Sequence, residues 1–302
     1  MSASRRTIAW LRGDLRVDDN PALATARDRG TDGCTAVYLI DDAFWSRHHW
    51  GPARRGMNLR AVAAMRPRLA DAGVDLRVLT TASQPAEDVI TEACRLLGAT
   101  EVHANREFGV DELRRDERVA VRLADANVDL RRHHDQTILP VEEIRSGAGT
   151  PYTVFTPFKR KWLALLGEAG IPAPLDPPRT SDPPLETSPP LADEIDLDTA
   201  LRDVPESAFE AGEAEPHRRL EAFLDGPVER YHDDRDPPSL DGTSTISPWL
   251  ACGSISPRRI LTVLTQRFGP DPAAWAEGPS TWLSELIWRE LYRHVMDGIP
   301  KL

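Results

Sequence analysis

The residues best suited to chemistry lie in the segment 279–296, where Trp282, Glu285, Trp288, Arg289 and Arg293 fall in close succession. At 3.6 residues per turn, Trp282, Glu285, Arg289 and Arg293 form one stripe, while Leu283, Ile287 and Leu291 form an apolar face. Trp288 sits beside Glu285 at i+3. Two indoles, a carboxylate and a guanidinium so grouped could stack on a planar ligand and hydrogen-bond its polar edge. The same spacing also describes a surface helix with an i,i+4 Glu285/Arg289 pair and two packing tryptophans, and spacing alone leaves both open. A second cluster, GTSTISPWL over 242–250, carries Thr243, Ser244, Thr245 and Ser247 just before an apolar run. Such hydroxyls cap a helix and equally hold a phosphate at its N-terminus. Tyr231, Arg258 and Arg259 carry no message by themselves.

These residues need a scaffold, and the chain divides by pattern. Over 7–135, short β-branched runs alternate with amphipathic stretches. Strands are expected over 7–12, 34–41, 74–81, 100–105 and 128–132, and helices over 21–29, 52–72, 86–97 and 112–126. The third helix is the clearest, with Val89, Ile90, Ala93, Cys94 and Leu97 on one face. Strand then helix, four times over, predicts an α/β fold with a Rossmann-like, doubly wound parallel five-stranded sheet. Pro67 is expected to kink or break the second helix. The turn after the first strand reads RGDLR over 12–16, without the glycine fingerprint of dinucleotide binding. From His217 onward the pattern is helical, with turn signals at Asp241-Gly242 and Gly269-Pro270.

The 302 residues and 40% hydrophobic content fit two globular domains, and no apolar run is long enough to span a membrane. Residues 1–135 are expected to form one domain able to fold alone. Residues 136–216 are expected to connect it to a helical region, 217–302, which lacks closing elements. The connection contains ten of the 26 prolines within 172–216, and twelve carboxylates against two arginines. Little regular structure is expected there as far as about Leu191. This segment holds nearly all of the formal charge of −11. The remainder is near neutral and compatible with a local basic surface for nucleic acid. Cys34, Cys94 and Cys252 show neither metal-ligand nor disulfide spacing, so no metal is expected. The first residues contain no apolar signal core, and a cytoplasmic monomer is expected.

Four blocks, WLRGDLRVDDNPAL over 10–23, TVFTPFKRKW over 153–162, GTSTISPWL over 242–250 with GSISPR over 253–258, and WLSELIWRELYRH over 282–294, resemble the successive signatures of the DNA photolyase/cryptochrome family. The resemblance runs from about residue 7 to residue 302, outside the acidic connection. It is closest to the bacterial class that repairs cyclobutane pyrimidine dimers. It implies an α/β antenna domain followed by the start of a helical domain holding reduced FAD, with the chain a portion of a longer protein. Tyr231, Thr243, Ser244, Ile246 and Ser247 match the flavin phosphate-binding segment. Trp282, Glu285 and Arg289 match the helix lining the flavin and dimer pocket. Glu285 is expected to hydrogen-bond a flipped dimer and Trp288 to stack on it, as the catalytic pair. Thr245 departs from the family, many of whose members carry a basic residue there.

WSRH over 45–48, with Asn105 and Asp111-Glu112, resembles the antenna site of folate-binding photolyases. His48, Asp111 and Glu112 would then contact methenyltetrahydrofolate, although Asp111 replaces an amide often found there. Read without the resemblance, His48 is a solvated loop histidine, and the two acids are favourably placed at a helix N-terminus. The expected activity is light-driven repair of DNA containing pyrimidine dimers, that is, a deoxyribodipyrimidine photo-lyase, a carbon–carbon lyase. A cryptochrome-like blue-light photosensor, or a stand-alone antenna or nucleotide-binding module, would use the same sequence blocks without the lyase chemistry.

Overall fold

In a computed structural model, residues 5–178, 190–202, 204–205 and 207–299 are described. The elements follow in order as β1 (Arg6–Leu11), α1 (Pro21–Arg29), β2 (Gly33–Ile40), α2 (Asp42–Arg47), α3 (Pro52–Asp71), β3 (Asp75–Thr80), α4 (Ala86–Leu97), β4 (Ala99–Asn105), α5 (Val110–Asp125) and β5 (Asp129–His133). Helices follow: α6 (Phe155–Ala169), α7 (Leu197–Arg202), α8 (Ala214–Leu224), α9 (Tyr231–Asp234), α10 (Ser247–Cys252), α11 (Pro257–Phe268) and α12 (Glu277–Gly298). The five strands pair in parallel in the order β3-β2-β1-β4-β5. This is the doubly wound sheet read from the sequence. β1 and β2 are buried on both faces, as a sheet covered by helices on both sides requires.

The α3 helix continues through Pro67 without a break. Pro67 lies on the exposed side near the end of the helix, where the carbonyl it leaves unbonded can meet water. The acidic connection is more ordered from residue 190 than its composition suggests, while 179–189 lie outside the described residues. Thr80 N donates to the Asp193 carbonyl at 2.9 Å, and Ile195 N to the Val78 carbonyl at 2.8 Å. Leu79 and Glu194 thereby form an antiparallel bridge on the outer edge of β3. Further along, Asp198 pairs with Arg66 at 3.2 Å, and Glu213 pairs with Arg68. Glu194, Asp198 and Glu213 of the segment are thus paired with Arg77, Arg66 and Arg68 of the α/β part.

One apolar cluster joins α4 and α5 to one sheet face through Ile8, Val37, Ile90, Val102, Val119 and Leu123. The other runs without interruption from the opposite face, through Leu11, Met65 and Leu69, into the helical part at Trp162, Leu261 and Ile287. Polar contacts seal the same junction. The loop after β1 reaches α10, with Leu15 N donating to the Cys252 carbonyl at 3.0 Å and Arg16 to the Gly253 carbonyl at 3.1 Å. Gly253 ends α10 at φ +78°, and a Cβ there would lie 2.2 Å from the Gly13 carbonyl oxygen, so only glycine serves. Beside it, Arg258 binds Asp19 at 3.1 Å and Asp135 at 2.9 Å, Arg16 also binds Asp135, and Ser256 donates to Asp19 while capping α11. All five side chains are buried.

Candidate functional site

Two regions carry the expected site residues. The first lies where α9, the segment 242–247 and α12 meet. Trp282 is buried, and its indole donates to Ser244 Oγ at 3.3 Å. Phe223 links Trp282 and Tyr231, with ring centroids 5.5 Å and 5.7 Å away. The Tyr231 phenol is pushed up, first by burial and then by the charge of Glu285. Glu285 itself faces outward and pairs with Arg235 at 2.7 Å. Ile246 is buried, while Thr243 and Ser247 are exposed, and neither hydroxyl is bonded among the described residues. α10 has only six residues and no side-chain cap, so the hydroxyl cluster does not act as a capping set. Thr245 adopts φ +51°, uncommon for a β-branched residue, and its hydroxyl accepts from Arg219 at 2.7 Å.

The stripe drawn on the final helix is only partly realised. Trp282 and Glu285 join the α9 cluster, but Arg289 turns to the other side and donates to the carbonyls of Gln136 and Leu250. Burial and the neighbouring Arg293 push its guanidinium down to about 9. No Glu285/Arg289 pair forms among the described residues, because Glu285 is taken by Arg235 and Arg289 by backbone. Trp288 lies flat on Phe155, with centroids 4.0 Å apart and 3° between planes, and Tyr292 lies beyond it at 5.9 Å. Lys159 donates to Ser284 at 2.8 Å and ties α6 to α12 under this stack. Sequence reasoning missed Arg235 and Phe155. Arg235 stands at i+4 from Tyr231, a spacing that could have pointed to it; for Phe155 only contact across two helices reveals the role.

The second region is a cavity of 310 Å³ over the carboxyl ends of β1, β2 and β4. The strand order reverses between β1 and β4, and open α/β sheets bind ligands at such a switch point. Its walls are aromatic, with Trp10, Phe44, Trp45 and Trp50 lining it. Trp45 and Trp50 stack at 5.9 Å, and the Arg54 guanidinium lies 3.7 Å above Trp50. Arg12 and Arg115 lie over Trp10 at 4.6 Å and 4.9 Å. Both line the cavity, and both are held by Asp116, at 2.6 Å and 2.9 Å. Trp10 Nε1 and Arg12 Nε, the latter 3.5 Å from Glu107, are buried without a hydrogen-bond partner among the described residues. Both atoms have almost no accessible surface and so lie behind the cavity wall.

Of the three antenna residues expected here, only Glu112 lines this cavity. Burial and then the charge of Glu107 push its carboxyl up, and it folds back over Gly109 at the start of α5. His48 Nε2 instead faces Asp111 at 3.3 Å, outside the cavity wall. Trp45 opens the WSRH block, but the sequence assigns no antenna role to Trp10, Trp50 and Arg54, since they converge from separate elements. Among the described residues no group of three or more His, Cys, Asp or Glu side chains could hold a metal ion. No described helix is long and apolar enough to cross a membrane.

Fold and site thus define a doubly wound α/β unit fused to helices, with one aromatic cavity over the sheet and one ring-and-hydroxyl cluster on the helical side. The model of the DNA photolyase family matches residues 7–179, and the chain belongs to that family. It is 32% identical over 309 residues to the deoxyribodipyrimidine photo-lyase of Vibrio cholerae, covering 98% of this chain and 62% of that protein. It is likewise 32% identical to the Escherichia coli enzyme of that name, covering 98% and 61%. The chain therefore spans a little over three fifths of these relatives, 62% and 61% of their lengths. A crystal structure of a class III photolyase from Agrobacterium tumefaciens superposes with TM-score 0.80 at 25% identity, covering 100% of this chain and 61% of that one. A cryptochrome from Synechocystis shares the fold, with TM-score 0.79 at 22% identity over 97% of this chain and 62% of that one. The family generally binds FAD and a second chromophore and acts on DNA with pyrimidine dimers.

Proposed function

We propose that this chain carries the antenna part and the dimer-facing part of a light-driven lyase that splits cyclobutane pyrimidine dimers in DNA. The observation that carries this reading is the outward-facing pair of Glu285 with Arg235 next to the Trp288 stack. A carboxyl and a flat ring presented together suit a dimer of adjacent pyrimidines lifted out of a duplex, where the polar edge needs a hydrogen bond and the planar face needs a platform. Phe155 backs the Trp288 ring and limits its rotation. Arg235 orients the Glu285 carboxylate and adds positive charge where an electron-bearing dimer would develop negative charge.

The exposed hydroxyls of Thr243 and Ser247, flanked by Tyr231, Arg219 and Arg235, fit the phosphate end of FAD, and Trp282 and Ser244 fit its adjoining wall. Bound and reduced, FAD supplies the light-driven electron. Arg289 in this reading fixes α12 against the loop at Gln136 instead of touching the cofactor. The cavity over the sheet fits an antenna chromophore, because its stacked tryptophans and lining arginines suit a planar ligand with acceptors. Its lining, which includes these tryptophans but neither His48 nor Asp111, also favours a ring bound among Trp10, Trp45 and Trp50 over one held by His48 and Asp111.

The test is to load the protein with FAD, illuminate it with dimer-containing DNA, and follow flavin content, dimer affinity and repair per absorbed photon. Glu285→Ala is expected to lower repair yield with flavin retained, and Trp288→Ala to weaken dimer binding by about 1 to 3 kcal/mol. If protein with full flavin content leaves dimers intact under blue light, the lyase reading is wrong and a photosensor takes its place.

A further inference from the structure

Next to the aromatic cavity lies a smaller cleft of 190 Å³, and Asp41, Phe44, Ala86 and Arg115 line both. The two spaces are thus neighbours that share a wall. The cleft is lined by four arginines, Arg47, Arg114, Arg115 and Arg118, but by only two carboxylates, Asp41 and Asp111. Three of these arginines come from α5, where 118 stands four and three residues after the adjacent 114 and 115, and Arg47 comes from the last turn of α2. Asp111 alone serves three groups, at 4.0 Å from Arg47, 3.6 Å from Arg114 and 3.3 Å from His48. Arg118 has Glu87 at 3.0 Å. The side chains of Arg47, Arg114 and Arg118 are 64, 70 and 56% exposed, so they are free to turn inward. Arg115 is held by Glu107 and Asp116, so Arg47 and Arg114, which share Asp111 with His48, are the least compensated of the four.

The geometry points to a tail subsite, and we propose that this cleft binds the anionic tail, phosphate or carboxylate, of the chromophore whose ring occupies the aromatic cavity. The proposal rests on the antenna reading of that cavity. It adds that affinity comes in two separable parts. Stacking on Trp45 and Trp50 holds the ring, and Arg47, Arg114 and Arg118 hold the charged end as guanidiniums hold phosphates and carboxylates elsewhere. A ligand with the same ring and no charged tail fills only the first part.

The experiment compares ligands that differ only in the tail. Binding of riboflavin and of flavin mononucleotide, and of methenyltetrahydrofolate with one and with three glutamates, is measured by fluorescence titration. The proteins are the full chain, its Arg114→Gln/Arg118→Gln variant and its Trp50→Ala variant. Expected is a preference of roughly tenfold for the longer or phosphorylated member of at least one pair. That preference should fall below about twofold in the arginine variant while the short member binds as before, and should shrink between about 0.02 and 0.5 M salt as surface charge is screened. Which pair shows the preference tells phosphate from carboxylate. Equal binding of both members in the parent, or a preference that survives the arginine variant or high salt, overturns the tail subsite and leaves the antenna reading intact. If no ligand binds, or binding ignores Trp50→Ala, the antenna reading itself fails and the subsite falls with it. Circular dichroism and thermal unfolding of each variant verify that it is folded.

Discussion

Glu290 shows how much a single buried side chain contributes to this molecule. Its carboxyl is 1% exposed and receives the Trp162 indole N–H at 2.6 Å and the Ile138 amide, tying α12 to α6 and to the chain just after β5. Burial outweighs these bonds and pushes it up to about 7 from an ordinary value of 4.5. Between those values the folded protein keeps a proton that the unfolded chain releases, so the contribution of Glu290 to stability falls as pH rises through about 5 to 7 and levels off above. His103 works from the other side. Burial and its neighbour His133, 2.9 Å away, push it down to about 4, so its contribution is present above the unfolded value near 6.5 and is lost as pH falls toward 4. In the parent the two slopes oppose each other over about 4.5 to 6.5 and largely cancel, so Glu290→Gln should uncover a rise of stability with pH through that window. Thermal midpoints measured from pH 4 to pH 8 in parent and variant decide this; an unchanged slope through that window would refute the role given to Glu290. Neither residue stood out in the sequence, because an isolated Glu beside an Arg, or a His in an apolar strand, shows its burial only once the partners are known.

For helices and strands, the pattern of apolar residues carried most of the information. Val89, Ile90, Ala93, Cys94 and Leu97 are all buried as the spacing of α4 requires, and α1 and α4 begin and end where expected. What periodicity cannot supply is the identity of the surface a face meets. The stripe on α12 is correct as helical geometry, yet Glu285 meets α9 and Arg289 meets Gln136, so the expected grouping splits. Pro67 likewise misleads as a residue type, because its effect depends on which side of α3 it faces. The packing of α11 on the loop after β1 supports a further prediction. Arg258→Met should leave Asp19 and Asp135 buried with too few cations and cost about 3 to 5 kcal/mol. Adding Asp135→Asn should recover part of that loss, and denaturant unfolding of the single and double variants measures it. Additive losses would mean that the two residues do not act as a pair.

Taken together, the α/β and helical parts share a core, although composition divides the chain into three segments. The cluster containing Leu11 and Met65 also contains Trp162 and Ile287, and the buried ion pairs cross the same boundary. Residues 1–135 keep the α4/α5 cluster but lose Arg258, which binds Asp19 and Asp135, and lose the helical half of the larger cluster. Expressed alone, such a fragment is predicted to retain helix and strand but to unfold at lower denaturant than the whole chain, which itself unfolds in one transition. Two separated transitions in the whole chain, the first matching the fragment, would show instead that the parts are independent. The contact of 193–195 with β3 has one more effect. An open sheet ends in two rows of unpaired amides and carbonyls, each a template on which another chain can add a strand. Here the β3 edge is already occupied along part of its length by the acidic segment, while the β5 edge bears Arg131, Arg132 and His133. One side is blocked along part of its length and the other is charged, so edge-to-edge joining of two copies is disfavoured on both sides.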